Sequence, residues 1–139
     1  MVLLHIRAHL RPRLMEWMHA LMLVLWGSIL ARPEATFTRS PVWAGLERIA
    51  SEDVWAWGTI LIGSARILAL LINGLWRPSY AIRTITSFCS MFVWFTISLG
   101  LIYSRAATTG LAIYPVLFLF EAINLYYSAL DGAFAAKEK

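Results

Sequence analysis

Two side chains in this sequence carry full charges where their neighbours are apolar enough for a lipid interior. Arg66 stands in the stretch TILIGSARILALLINGLW, and Glu121 in PVLFLFEAINLYYSAL. A guanidinium keeps its proton at every biological pH, so Arg66 must be answered by an anion or by polar groups. Left bare at the centre of a bilayer it costs at least about 2.5–3.5 kcal/mol. An Arg66–Glu121 pair inside a helix bundle is the expected answer. Two readings of that pair stay open. It is either a buried ion pair that fixes which helices pack together, or part of a proton or ion pathway that also takes in His19 and Glu16.

Depth selects Glu121 as the partner. Arg66 lies 11 residues before Arg77, about 16 Å along a helix, and Glu121 lies 10 before Asp131, about 15 Å. The segments that carry them run in the same direction, so the two charges share a level. Glu16 follows Arg13 by only three residues and is expected to lie too shallow to serve Arg66.

Polar and small residues line up around this pair at helical spacing. Thr59, Gly63, Arg66, Asn73 and Gly74 fall on one face of their segment, and Gly110, Tyr114, Glu121, Asn124 and Ser128 on one face of another. Thr84, Ser87, Met91, Trp94 and Ser98 form a third stripe, and Glu16, His19 and Gly27 a fourth. Four segments with one mildly polar stripe each are what four helices around a common interior require. The candidate pathway is Arg66, Glu121, Asn124 and Asn73, with Glu16 and His19 as secondary polar groups. Glu16 and His19 also stand at the i, i+3 spacing of carboxylate-bridged metal sites, but the further ligands are missing and no metal or other cofactor is expected. In the fourth segment Pro115 falls inside a helix, and Thr108 or Thr109 is expected to satisfy backbone that it frees.

The elements that must position these residues are membrane helices. Of 139 residues, 60% are hydrophobic and 14% charged, and the mean hydropathy is +0.67. A soluble core of this size cannot bury so much apolar surface, which leaves the excess to lipid. Spans are expected at about 14–31, 54–76, 82–104 and 107–130, each near the 20 or so residues that cross a bilayer core. The expected fold is a single all-α membrane domain over 1–139, a four-helix bundle. The lone Cys89 excludes an internal disulfide.

Loop charges orient the bundle. Arg7, Arg11, Arg13, Arg77, Arg83, Lys137 and Lys139 share one side, against Arg32, Arg39, Arg48 and Arg105 on the other, which places both termini in the cytoplasm. The net charge of +4 then needs no nucleic-acid partner. Trp17, Trp43, Trp55, Trp57 and Trp76 fall near span ends as interfacial anchors, with Tyr103. In the first outer loop, SPVWAGLERIA predicts a short helix over about 41–50, capped by Ser40 and led by Pro41, lying on the membrane surface. The N-terminal LLHIRAHLR reads as an interfacial segment near anionic headgroups.

No nucleophile–base pair, phosphate loop, dinucleotide fingerprint or Cys/His cluster occurs, so an enzyme is not expected. In layout, with its basic N-terminus, four aromatic-rich spans and short charged tail AAKEK, the chain resembles the small four-span membrane proteins of phages and prophages. That resemblance implies a holin-like protein of the bacterial cytoplasmic membrane, whose copies associate laterally and open lesions. Its departure is the pair of intramembrane charges. A small transporter or channel with a pathway through Arg66 and Glu121, and an accessory subunit that binds another membrane protein, are the alternatives. The expected partners are the lipid bilayer and either further copies of the chain or another membrane protein.

Overall fold

The computed structural model describes residues 13–75 and 80–137, with the side chains of 73–75 excepted. Among them every regular element is helical: α1 (Leu14–Leu30), α2 (Thr36–Arg39), a 3-10 turn (Pro41–Trp43), α3 (Ala44–Glu47), α4 (Glu52–Leu75), α5 (Tyr80–Ser104) and α6 (Gly110–Lys137). α4, α5 and α6 have 24, 25 and 28 residues and are long and apolar enough to cross a membrane. α1 is apolar but shorter, 17 residues or about 25 Å.

The long helices pack as two antiparallel pairs, α1 on α4 and α5 on α6. α4 also packs on α5, and α6 more lightly on α1, which closes a ring in the order α1, α4, α5, α6. α1 and α4 approach closely because their interface is small. A Cβ on Gly63 would stand 2.8 Å from the carbonyl oxygen of Ala20, and one on Gly27 would collide with Thr59. Such small-residue seams are how helices gain dispersion contacts where no hydrophobic effect drives them together.

Each helix turns one stripe inward. The buried residues of α1 are Glu16, His19, Ala20, Leu23, Gly27 and Leu30, and those of α6 are Gly110, Glu121, Asn124 and Ser128. Outward faces are Leu, Ile, Phe and Val, as a lipid-facing surface requires.

The interior divides along its length. At the end formed by the C-terminus of α1, Leu23, Leu30, Leu46, Ala56, Val93, Trp94, Ile97 and Leu101 make an apolar core. Polar groups there turn back on their own helices: Thr59 donates to Trp55 and Ala56 carbonyls, and Ser98 to that of Trp94. The Trp26 indole N–H donates to the Tyr114 hydroxyl at 3.1 Å. At the other end the interior carries charge.

Several sequence expectations meet a different structure. α5 begins at Tyr80, so Arg83 is a buried helical residue and not a loop cation. α6 starts later than 107 and runs well past 130. Thr108 accepts from the Gly110 amide and so caps α6; it does not serve the backbone beside Pro115. The loop helix is shorter than 41–50 and packs into the bundle. Ser40 accepts from the Val42 amide as expected of a cap, but Leu46 is fully buried and Gly45 sits against the backbone of Gly100. Trp43 stacks on Phe37 and meets Trp26 and Tyr114 edge to face, because the small residues at 44 and 45 let the turn dock into the bundle mouth. Glu52, in the first turn of α4, accepts from the Thr36 and Phe37 amides at 2.8 and 3.0 Å and so caps α2.

Candidate functional site: a buried charge network

Glu121 is fully buried, and Arg66 is 1% exposed. The two form an ion pair, from the Arg66 guanidinium Nη1 to Glu121 Oε1. One turn further along α6, Asn124 Nδ2 donates to Glu121 Oε2 at 2.7 Å. His19 Nδ1 faces the same oxygen at 3.6 Å, just beyond hydrogen-bond reach. The carboxylate is thus surrounded by residues of three helices, α1, α4 and α6.

A second pair lies nearer the end of the bundle. Arg83 donates to both oxygens of Glu16, from Nη2 to Oε1 at 2.7 Å and from Nε to Oε2 at 3.3 Å. Its Nη1 donates to Asp131 at 3.1 Å. Bidentate pairing uses the planar fork of the guanidinium, which a lysine does not offer. Arg83 and Glu16 are buried, whereas the Asp131 side chain is 49% exposed and forms the mouth of the network. Thr84 and Ser128 hydroxyls meet at 3.0 Å beside it.

The two pairs have a common plan. Helices α1 and α4 supply Glu16 and Arg66, and α5 and α6 supply Arg83 and Glu121. Each half contributes one cation and one anion, and each pair joins helices that stand diagonally in the ring.

Between Arg83 and Trp94 the inward stripe of α5 carries Ser87 and Ser90, both fully buried. Their hydroxyls have no hydrogen-bond partner among the described residues, and neither do His19 Nδ1, the Trp94 indole N–H, or Nε and Nη2 of Arg66. Left without any partner, a buried polar group costs roughly 1–3 kcal/mol, so these atoms mark where the interior is polar beyond its ion pairs. The polar interior therefore runs from Asp131 at the mouth, past Arg83, Glu16 and the Arg66–Glu121 centre, to the apolar residues around Trp94 and Leu23.

Of the residues singled out by sequence, Arg66, Glu121, Asn124 and His19 come together, and Glu16 joins the outer pair. The side chain of Asn73 lies outside the described residues, as do Trp76, Arg77 and the N-terminal segment with His5, Arg7, His9 and Arg11. Among the expected anchors Trp57 is 65% exposed, whereas Trp17, Trp43 and Trp55 are half-buried. The Trp55 indole N–H donates to the Leu46 carbonyl at 3.2 Å, so it holds the loop helix. Arg83 was hidden by its place among loop charges, although it stands one turn before Ser87 on the stripe that leads to Trp94. No group of three or more His, Cys, Asp or Glu side chains suited to a metal ion occurs among the described residues.

In comparisons with family models, curated proteins and solved structures, nothing matches this chain.

Proposed function

We propose that this chain is a small polytopic protein of the bacterial cytoplasmic membrane, with four spans and both termini in the cytoplasm, whose interior offers a polar route to protons or small ions. The observation that carries the reading is the half-bundle of buried charge with polar atoms of Ser87, Ser90, His19 and Arg66 left over from its ion pairs, ending at the half-exposed Asp131. A pair built only to hold helices together satisfies its own hydrogen bonds, and the outer Arg83–Glu16 pair does so. The inner one leaves polar atoms over, and ionisable groups at this depth mark conduction and relay sites by default. Glu121 is the group whose charge the route needs, His19 and the serines extend it, and Trp94 with Leu23 bounds it. As the first span, α1 falls about 5 Å short of the hydrocarbon thickness, which local thinning of the bilayer accommodates.

The test is reconstitution into liposomes of phosphatidylethanolamine and phosphatidylglycerol, with an imposed potential and an enclosed pH-sensitive dye. Wild type is expected to pass protons or a small cation, and Glu121→Gln, compared at equal amounts of inserted protein of wild-type helicity, to pass none. Intact proteoliposomes without flux overturn the route. Cysteines placed at Ala135 and Ala107 in a Cys89→Ser background test the orientation, with labelling expected only from the cytoplasmic side at 135 and only from the outer side at 107.

A second reading, holin-like self-association, rests on the outer surface of α6. Only 11% of its apolar stretch is buried within the chain, against 33% and 44% for α4 and α5, and Tyr126, Tyr127 and Phe134 stand more than half exposed. An aromatic face of that size suits a second copy. The same liposomes distinguish it: release of a large dye such as calcein favours lesions, whereas selective flux of protons or small cations with calcein retained favours the route.

A further inference from the structure

At the end of the bundle opposite the charge network, the surface is shaped for a different ligand. A pocket of about 460 Å³ lies between the loop helix and the C-terminus of α5, and Arg48 and Arg105 both line it. Arg48 is held in place by Tyr103, to whose hydroxyl it donates from Nη1 at 3.1 Å and over whose ring its guanidinium stands at 5.2 Å. No carboxylate lies within ion-pair distance of either arginine among the described residues, whereas the neighbouring Arg39 faces Glu34 at 3.9 Å. Arg105 adopts φ 54°, a left-handed conformation that a residue with a Cβ occupies at some cost.

Two apolar grooves lead away from this basic pocket. One, of about 510 Å³, shares Arg48, Gly45 and Tyr103 with it and continues along Ile49, Leu99 and Gly100. The other, of about 270 Å³, begins at the same Ile49 and runs between α4 and α5 past Val54, Ile62 and Phe92. From Ser104, the last residue of α5, to Phe92 is 12 residues, about 18 Å, and one leaflet of hydrocarbon is about 15 Å deep. A cationic head pocket at the membrane edge, with two apolar branches that meet at Ile49, the longer running about one leaflet deep, has the shape and charge of a phospholipid.

We propose that Arg48 and Arg105, with the grooves on either side of Ile49, bind one anionic phospholipid, its phosphate between the guanidiniums and its acyl chains in the two grooves. The site rests on the membrane reading of the chain and not on the polar route. Arginine recognises phosphate through its fork of donors, and basic pockets beside membrane helices select anionic headgroups.

Native mass spectrometry of the full chain in detergent micelles, with dioleoyl phosphatidylglycerol or phosphatidylcholine added, tests it. Wild type is expected to retain one phosphatidylglycerol and to retain phosphatidylcholine far less. The double variant Arg48→Ala/Arg105→Ala is expected to weaken retention about 30-fold, at about 1 kcal/mol for each arginine. Arg32→Ala/Arg39→Ala, at the same end but outside the pocket, is expected to leave it unchanged. Leu99→Trp, on an exposed position of the groove, keeps both charges and is expected to displace the lipid by filling its path, so it decides the matter should the double variant fail to fold. Undiminished retention by Leu99→Trp or by a folded double variant overturns the proposal, as does equal loss in the Arg32/Arg39 control. Displacement of the lipid by millimolar inorganic phosphate alone assigns the pocket to a free anion and overturns it equally.

Discussion

Arg66 and Glu121 meet across the axis of the ring although their helices, α4 and α6, stand on its diagonal and hardly touch elsewhere. Glu16 and Arg83 do the same for α1 and α5. Neighbouring helices hold each other by small residues and apolar contact, with the Arg83–Asp131 pair added between α5 and α6, whereas the diagonals are held by charge. The ion pairs thus determine which half faces which, a role that dispersion between similar apolar surfaces fulfils poorly.

A double-mutant cycle on the inner pair follows from this geometry. Arg66→Met and Glu121→Gln are each expected to destabilise the bundle, by about 3–5 kcal/mol where a full charge is left buried without its partner. The double variant is expected to lose less than the sum of the two. Unfolding in mixed micelles, followed by circular dichroism, gives the coupling, and strict additivity would count against an ion pair.

At the outer pair the partners of Arg83 differ in burial, and so should their weights. Glu16→Gln removes a buried bidentate partner and is expected to cost several kcal/mol, whereas Asp131→Asn, at a half-exposed position, should stay within about 1 kcal/mol. Thermal melts of the two single variants in the same detergent decide the ranking.

For the seam between α1 and α4, Gly63→Ala is the sharpest probe. The added methyl would meet the Ala20 carbonyl and the Leu23 side chain, both backed by helix backbone, and overpacking of this kind costs about 1–3 kcal/mol. A Gly58→Ala control meets nothing within 4 Å and is expected to be neutral or mildly stabilising. Equal melting points for the two variants would show that the helices do not approach as closely as described.

Trp26→Phe is expected to cost about 1 kcal/mol through loss of the hydrogen bond to Tyr114, beyond the area it removes. Tyr114→Phe keeps the ring stacked on Trp94 and isolates the same bond. Trp26→Phe should therefore cost more than Tyr114→Phe by the area it removes, and the double variant should add little to Trp26→Phe alone.

The sequence made the inner pair legible because two facts converged on it: equal depth from the same edge and matching stripes at helical spacing. The outer pair was legible only in part. Glu16 stood on its stripe, but Arg83 sat three residues into a helix whose start the sequence blurred, and it was counted with the loop. Burial of an arginine at a helix end depends on a partner from another helix, and no local pattern reports that partner. The loop helix failed for a related reason. Its cap and its proline were readable, but whether Leu46 and Trp43 face lipid or the bundle depends on Gly100, a small residue over fifty positions away that opens room for them. The aromatic residues near span ends carried the same ambiguity: position suggested an interfacial belt, and packing turned Trp43 and Trp55 inward.

The exchange of charges between the two halves bears on how the chain is made. A product that ends after α4 carries Arg66 and Glu16 with neither partner, since both answering residues come from the second half of the chain. Such a fragment leaves Arg66 and Glu16 to answer only each other, without the ion pairs that the finished chain gives each of them, and so presents ill-paired charge to lipid and to membrane proteases. Synthesis of the last helix is therefore the event that makes the first ones stable, and a truncated copy should not accumulate beside the complete one.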